Sequence, residues 1–247
     1  MKVTAIIQAR VGSTRLPGKV LKELKGHTVL YHVIERVSQS TLIDDIIIAT
    51  TLNENDDAIE QEAQKCGVKV FRGSEDDVLS RFYLAAENNK SDVVVRITSD
   101  CPLIDPNVLD DIINSFIKND NIEIATNAGA DLKLRTFPRG LDVEVFSCKV
   151  LKDAYLNAKE QYQREHVTPY IYENSQNIYH HLNNVNYSNY RWTVDTEEDF
   201  SLVEEIYHRL YSGKHDFFLK EIVNILRKEP KLCDINAHIE QKKLKNQ

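Results

Sequence analysis

Hydrophobic residues in the first half of the chain alternate between two periods. Short β-branched runs at 3–7 (Val3, Ile6, Ile7) and 45–50 (Ile46, Ile47, Ile48) predict buried strands. Between them Val29, Leu30, Val33, Ile34 and Val37 recur at helical spacing within 28–38, with Thr28 placed to cap that helix. The alternation continues with a helix over 56–66 stopped by Gly67 and a strand over 68–71. A helix over 77–89 follows, its Val78, Leu79, Phe82, Leu84 and Ala85 facing inward; then come a strand over 92–97, a helix over 106–116 and a strand over 122–126. This order predicts an α/β fold: a mostly parallel central sheet with helices on both faces.

The rhythm breaks after Asn127. Residues 127–140 have no period and read as a long loop, 141–146 alternate like a strand, and 149–159 and 165–173 look helical. A strand over 178–182 closes this region, which is too short for a full core of its own. We read 1–247 as one domain with 127–190 as an excursion. Strand character returns over 190–194, followed by helices over 197–210 and 217–227, the last stopped by Pro230. The polar tail 242–247 is expected to fray.

The first strand feeds residues 8–21, a loop of small and cationic residues (Gly12, Ser13, Gly18; Arg10, Arg15, Lys19), after which helical spacing is expected over 20–24. Backbone N–H groups and cations at a strand end suit an anion; the competing reading is a solvated basic turn. It is no Walker loop, since five residues separate Gly12 from Gly18 and Val20 follows Lys19. Nor does it have the closely spaced glycines of a dinucleotide fold. Pro17 stiffens the loop and Gly18 restores its freedom.

Composition narrows the partners. A net charge of −7 argues against a general nucleic-acid surface, yet the first 25 residues hold Lys2, Arg10, Arg15, Lys19, Lys22 and Lys25 against Glu23 alone. A local cationic site fits a small polyanion. Cys66, Cys101, Cys148 and Cys233 are scattered without metal-like pairing, so reduced thiols are expected. With no secretory segment and no long apolar run, a cytoplasmic protein free of the membrane is expected.

Ligands of open α/β sheets bind beyond the carboxyl ends of strands. Asp100 and Asp195 stand at two such ends. A helix-capping role is the plain alternative, but Asp105 precedes Pro106 as a better cap, and Thr196 with Asp199 makes a capping box just past Asp195. Two uncommitted carboxylates near a cationic loop suggest magnesium held between protein and phosphates. Arg139, before Gly140, either meets a carboxylate bidentately or makes a turn; His166 either caps a helix or contacts substrate. His180, His181, Asp76, Asp77, Asp110 and Asp111 read as solvated surface.

These residues carry a resemblance. The run from Gln8 through Ala9, Arg10, Gly12, Ser13 and Arg15 to Lys19 resembles the nucleotide-binding loop of the sugar-acid cytidylyltransferases, which include acylneuraminate and 3-deoxy-manno-octulosonate cytidylyltransferase. Asp100-Cys-Pro-Leu-Ile and Trp192-Thr-Val-Asp195 through Asp199 resemble that family's metal-bearing motifs. The runs from Pro138 to Phe146 and from Arg164 to Tyr172 resemble its spore-coat-polysaccharide-biosynthesis-protein-F branch. The resemblance covers the chain to about Leu210.

It implies a nucleotide-diphospho-sugar transferase type of fold and the reaction of CTP with a sugar acid, such as a nonulosonate, to give CMP-sugar and pyrophosphate for polysaccharide synthesis. It further implies Mg2+ on Asp100 and Asp195, and catalysis by Arg15, Lys19, Asp100 and Asp195. CTP is expected on Ala9, Arg10, Gly12, Ser13, Arg15, Lys19 and Arg96, and the sugar on Arg139, Arg164 and His166. A homodimer is expected, with the excursion supplying contacts. Rival readings are transfer to a sugar 1-phosphate and a non-catalytic nucleotide-binding regulator. A glycosyltransferase of related fold is disfavoured because no Asp-x-Asp triplet occurs.

Overall fold

The computed structural model describes residues 1–129 and 132–240. Their centre is a seven-stranded sheet of β1 (Val3–Gln8), β4 (Asp45–Thr51), β5 (Lys69–Gly73), β6 (Val93–Thr98), β7 (Ile124–Thr126), β8 (Glu144–Ser147) and β9 (Ile178–His180). The spatial order is β5-β4-β1-β6-β8-β7-β9. β1 pairs parallel with β4 and β6, and β8 runs antiparallel to both β6 and β7.

Alternation along the strands divides the core in two. Val3, Ala5 and Ile7 of β1 and Val93, Val95 and Ile97 of β6 pack on one face with α1 (Val29–Val37), α2 (Asp57–Lys65), α4 (Pro106–Ile117), α8 (Glu197–Leu210) and α9 (Leu219–Lys228). Ile6, Ile47, Val94 and Phe146 meet α3 (Val78–Asn88) and α5 (Cys148–Asn157) on the other, beside two short helices, α6 (Gln161–His166) and α7 (Pro169–Asn174). The expected caps are in place: the Thr28 side chain accepts from the Tyr31 amide, and Asp105 caps α4 with Pro106 in its first turn.

Several expectations are corrected. The excursion is not outside the sheet: β8 inserts between β6 and β7, and β9 forms the edge. Residues 190–194 make no strand, only a bridge of Arg191 with Arg139. The helix expected over 165–173 is two helices, α6 and α7, split at Val167 (φ 72), because Pro169 has no amide N–H to continue a helix and instead takes the first position of α7. Residues 20–24 hold only a 3-10 turn (Lys19–Leu21) and the first strand of a two-stranded ribbon, β2 (Glu23–Leu24) with β3 (His27–Thr28). Lys25 and Gly26, both at positive φ, close that ribbon. The expected fraying of 242–247 lies outside the described residues.

The strand order reverses at β1. The chain passes from β1 outward to β4 and β5, then returns to β6 on the opposite side of β1. The crevice at the carboxyl ends of β1 and β6 is therefore the place where such a sheet receives a ligand.

Candidate active site

The loop after β1 is anchored at its start and open at its middle. The Val11 amide donates to Asp56 Oδ1 (2.7 Å), and Asp56 is itself bound by Thr51. The Gly18 amide closes the loop on the Val11 carbonyl at 3.1 Å, with Gly18 at φ 69. Among the described residues the amides of Gly12, Thr14 and Arg15 find no acceptor, so donors remain available to an anion.

Lys19 leaves this loop and lies between the two aspartates. Its Nζ is 2.6 Å from Asp100 Oδ2 and 2.7 Å from Asp195 Oδ1. Asp195 Oδ2 also takes Arg15 Nη2 and Arg191 Nη2, each at 2.8 Å. Burial alone would lower the Lys19 pKa; the two carboxylates more than offset it and hold it above its ordinary value. For Asp195, burial pushes upward, but Lys19, Arg15 and Arg191 together hold it below the usual carboxylate range. The two residues expected to be uncommitted thus already engage cations.

Backbone contacts lash the aspartate segments together. The Val194 amide donates to the Asp100 carbonyl at 2.8 Å. Cys101, fully buried between Thr98 and Thr193, has its thiol pKa pushed well up by burial and is inert packing rather than a nucleophile. Asp199 closes the predicted box with Thr196 and also accepts from the Asp195 amide (3.1 Å), Arg191 Nε (2.9 Å) and Asn236 Nδ2 (2.9 Å). Arg191 and Asn236 escaped sequence reasoning; the spacing of Arg191 four residues before Asp195 was the available signal.

A buried polar layer behind α1 steadies the loops. His32 Nε2 contacts the Leu24 carbonyl (2.6 Å), which can only accept, so that nitrogen carries the proton. In neutral His32 the other nitrogen then accepts from His215 Nε2 at 2.8 Å. Arg36 donates to the carbonyls of Ile104 (2.6 Å) and Phe217 (2.8 Å), and the Tyr207 hydroxyl donates to that of Pro102 (2.6 Å). The turns that follow Lys19 and Asp100 thus hang from the same buried groups.

Other expected site residues lie apart from the Lys19 cluster. Arg10 is exposed near Glu75 (3.4 Å). Arg96 reaches Gln8 at the base of the loop (3.2 Å), but its charge is taken by Glu144, which also binds Thr168 and Tyr172. Arg164 is committed to Asp77 and the Tyr155 carbonyl, and His166 closes α6. Arg139 is half-buried and makes no ion pair among the described residues; burial, then Arg135 and Arg191, lower its pKa against the opposing pull of Asp142, which is itself paired with Arg135. Ala9 is buried at the end of β1, and Ser13 turns its amide onto Val11. Two surface readings are corrected: Asp77 caps α3, and Asp110 accepts from Ser40 and Thr41 because α4 abuts that turn. His181 is stacked on Phe137 rather than solvated.

The carboxylates fit a hard divalent cation. Their oxygens converge on one point, and Mg2+ takes one or two carboxylates and leaves its other positions to water and substrate phosphates. No group of three His, Cys, Asp or Glu side chains forms an all-protein cage among the described residues.

Residues 4–243 match the cytidylyltransferase family. The chain belongs to that family. Membership makes it a CTP-dependent nucleotidyltransferase, as the resemblance implied. It is 36% identical to spore coat polysaccharide biosynthesis protein SpsF of Bacillus subtilis, over 91% of this chain and 94% of that one, which places it on the SpsF branch. An uncharacterized protein of Methanocaldococcus jannaschii is 41% identical over 98% of this chain and 97% of its own. A solved cytidylyltransferase of Leptospira borgpetersenii superposes with a TM-score of 0.90 at 34% identity, covering 98% of this chain and all of that one. CMP:2-keto-3-deoxy-manno-octonic acid synthetase, solved with CTP, has a TM-score of 0.68 at 19% identity, covering 85% of this chain and 99% of that one, a likeness of fold. No helix among the described residues is long and apolar enough to cross a membrane.

Proposed function

We propose that this cytidylyltransferase transfers the CMP unit of CTP to a hydroxyl of a sugar acid, giving CMP-sugar and pyrophosphate for surface polysaccharide synthesis. The observation that carries the site assignment is the convergence of Lys19, Arg15, Asp100 and Asp195 at the switch point of the sheet. The acid as acceptor is supported by Arg139, half-buried and without an ion pair among the described residues, the nearby Asp142 being paired with Arg135. It also agrees with relatives: the 3-deoxy-manno-octulosonate cytidylyltransferase of Geobacter sulfurreducens is 34% identical over 128 residues, about half of each chain.

In this reading the free amides of Gly12, Thr14 and Arg15 bind the triphosphate, and Ala9, Arg10 and Ser13 line its approach. Arg15 and Lys19 stabilise the charge that gathers on departing pyrophosphate, as preorganised cations do. Asp100 and Asp195 would hold Mg2+, which supplies charge neutralisation at the α-phosphate and acidifies the attacking hydroxyl. Arg191, fixed by Asp199, keeps the Asp195 carboxylate ionised and oriented. Arg96 in β6 and Arg164 and His166 in α6 are our candidates for the distal part of the sugar site. A homodimer through the excursion is supported by exposed Tyr179, Leu182 and Val185, and a cytoplasmic setting by four free cysteines.

The test is pyrophosphate release from CTP with octulosonic and nonulosonic acids and, separately, sugar 1-phosphates. Acid-dependent release supports the proposal. Release with sugar 1-phosphates alone selects that acceptor instead, and CTP binding without turnover on any acceptor makes the chain a regulator.

A further inference from the structure

The cations around Asp195 are not equivalent. Arg191 is buried and doubly held, with Nε and Nη2 both on Asp199, so it cannot leave. Lys19 and Arg15 are held differently. Among the described residues the side-chain partners of Lys19 Nζ are the two carboxylates, and that of Arg15, about one-third exposed, is Asp195. Both sit in a loop whose middle amides are free and which turns at Gly18. With Asp199 on Arg191, three carboxylates face three cations and the set is neutral. A divalent ion added to that set would leave a net charge of plus two, which is unfavourable in a partly buried site without a polyanion.

We propose that Lys19 is an exchangeable cation whose ammonium and a divalent ion are alternatives for the same two carboxylate oxygens. When metal and CTP enter together, the carboxylates pass to the metal while Lys19 and Arg15 pass to the phosphates, so the two ligands bind as a linked pair. Neither gains this exchange alone: metal without nucleotide must displace a bonded ammonium into solvent, and nucleotide without metal must draw it from two carboxylates. Arg191 remains as the fixed counter-charge of Asp195. This rests on the reading that Asp100 and Asp195 hold the metal.

The experiment measures Mn2+ binding to the full chain by electron paramagnetic resonance, with and without CTP and with no acceptor present. In the wild type CTP should tighten Mn2+ by about 5–150-fold, the usual range for coupled sites. Lys19→Met should tighten Mn2+ in the absence of CTP by about tenfold, since a competing unit charge is gone, and should shrink the gain that CTP brings. Thermal melting checks the fold of Lys19→Met, with Lys19→Gln as a second neutral variant. Mn2+ and CTP binding independently to the wild type overturns the exchange. So does Mn2+ binding to both variants no more tightly than to the wild type. Asp100→Asn and Asp195→Asn separate the two claims. If they leave Mn2+ binding with CTP intact, the metal assignment falls and the exchange with it. If they abolish it while the Lys19 variants change nothing, only the exchange falls.

Discussion

Substituting Gly140 probes how the Asp195 segment is positioned. Gly140 sits at φ +100, and a Cβ there would meet the Thr193 amide nitrogen and the Trp192 carbonyl carbon, each at 2.6 Å. Those atoms cannot rotate away, because Arg139 is bonded on both sides: its amide donates to the Tyr190 carbonyl, and its carbonyl accepts from the Trp192 amide at 2.7 Å. For Gly140→Ala the backbone conformation costs about 1–3 kcal/mol and the collision about 1–3 kcal/mol more. Gly213→Ala is the matched control, with φ +93 and open space around the new Cβ, so it carries the first cost only. In a chain of this size each kcal/mol lowers the melting temperature by about 2–4 °C. Gly140→Ala should therefore melt about 2–12 °C below Gly213→Ala. The clash pushes on Thr193, two residues before Asp195, so kcat/KM for CTP should also fall by about tenfold or more at a temperature where both variants are folded. Equal melting of the two variants would show that these segments are not in contact. Full activity in a destabilised Gly140→Ala would show that Asp195 is positioned by something else.

The His32–His215 pair makes stability depend on mild acid. Burial pushes their pKa values down to about 4 and about 3, so below pH 6.5 the unfolded chain takes up the protons first. Stability present above pH 6.5 is lost as pH falls, by about 2 kcal/mol from His32 alone at about pH 5. His32→Gln should flatten denaturant midpoints between pH 6.5 and 5; an unchanged slope would remove the pair as its source. Asp199→Asn removes the charge facing buried Arg191 and should cost about 3–5 kcal/mol in chemical denaturation. A cost near zero would mean that Arg191 is held without it.

Much of the fold was legible because many elements carry their own period and their own start or stop. Gly67, the Asp105-Pro106 start and the Thr196–Asp199 box are local signals, and all three mark real boundaries. The place of β8 was not legible: alternation in 141–146 announces a strand but not that it inserts antiparallel beside β6, which is a long-range choice. At the site, Arg15, Lys19, Asp100 and Asp195 stood out and do converge. Their mutual pairing was invisible because it spans up to 176 residues of sequence. Arg96 shows the converse, since its charge at a strand end is answered by Glu144 from the inserted strand.

The most direct test of the account is transfer of label from CTP carrying 32P at the α-phosphate to a sugar-acid acceptor. The account predicts labelled CMP-sugar and one pyrophosphate per transfer, both lost in Asp100→Asn and Asp195→Asn proteins that melt cooperatively. Near wild-type transfer by either variant, or label moving only to sugar 1-phosphates, would contradict it.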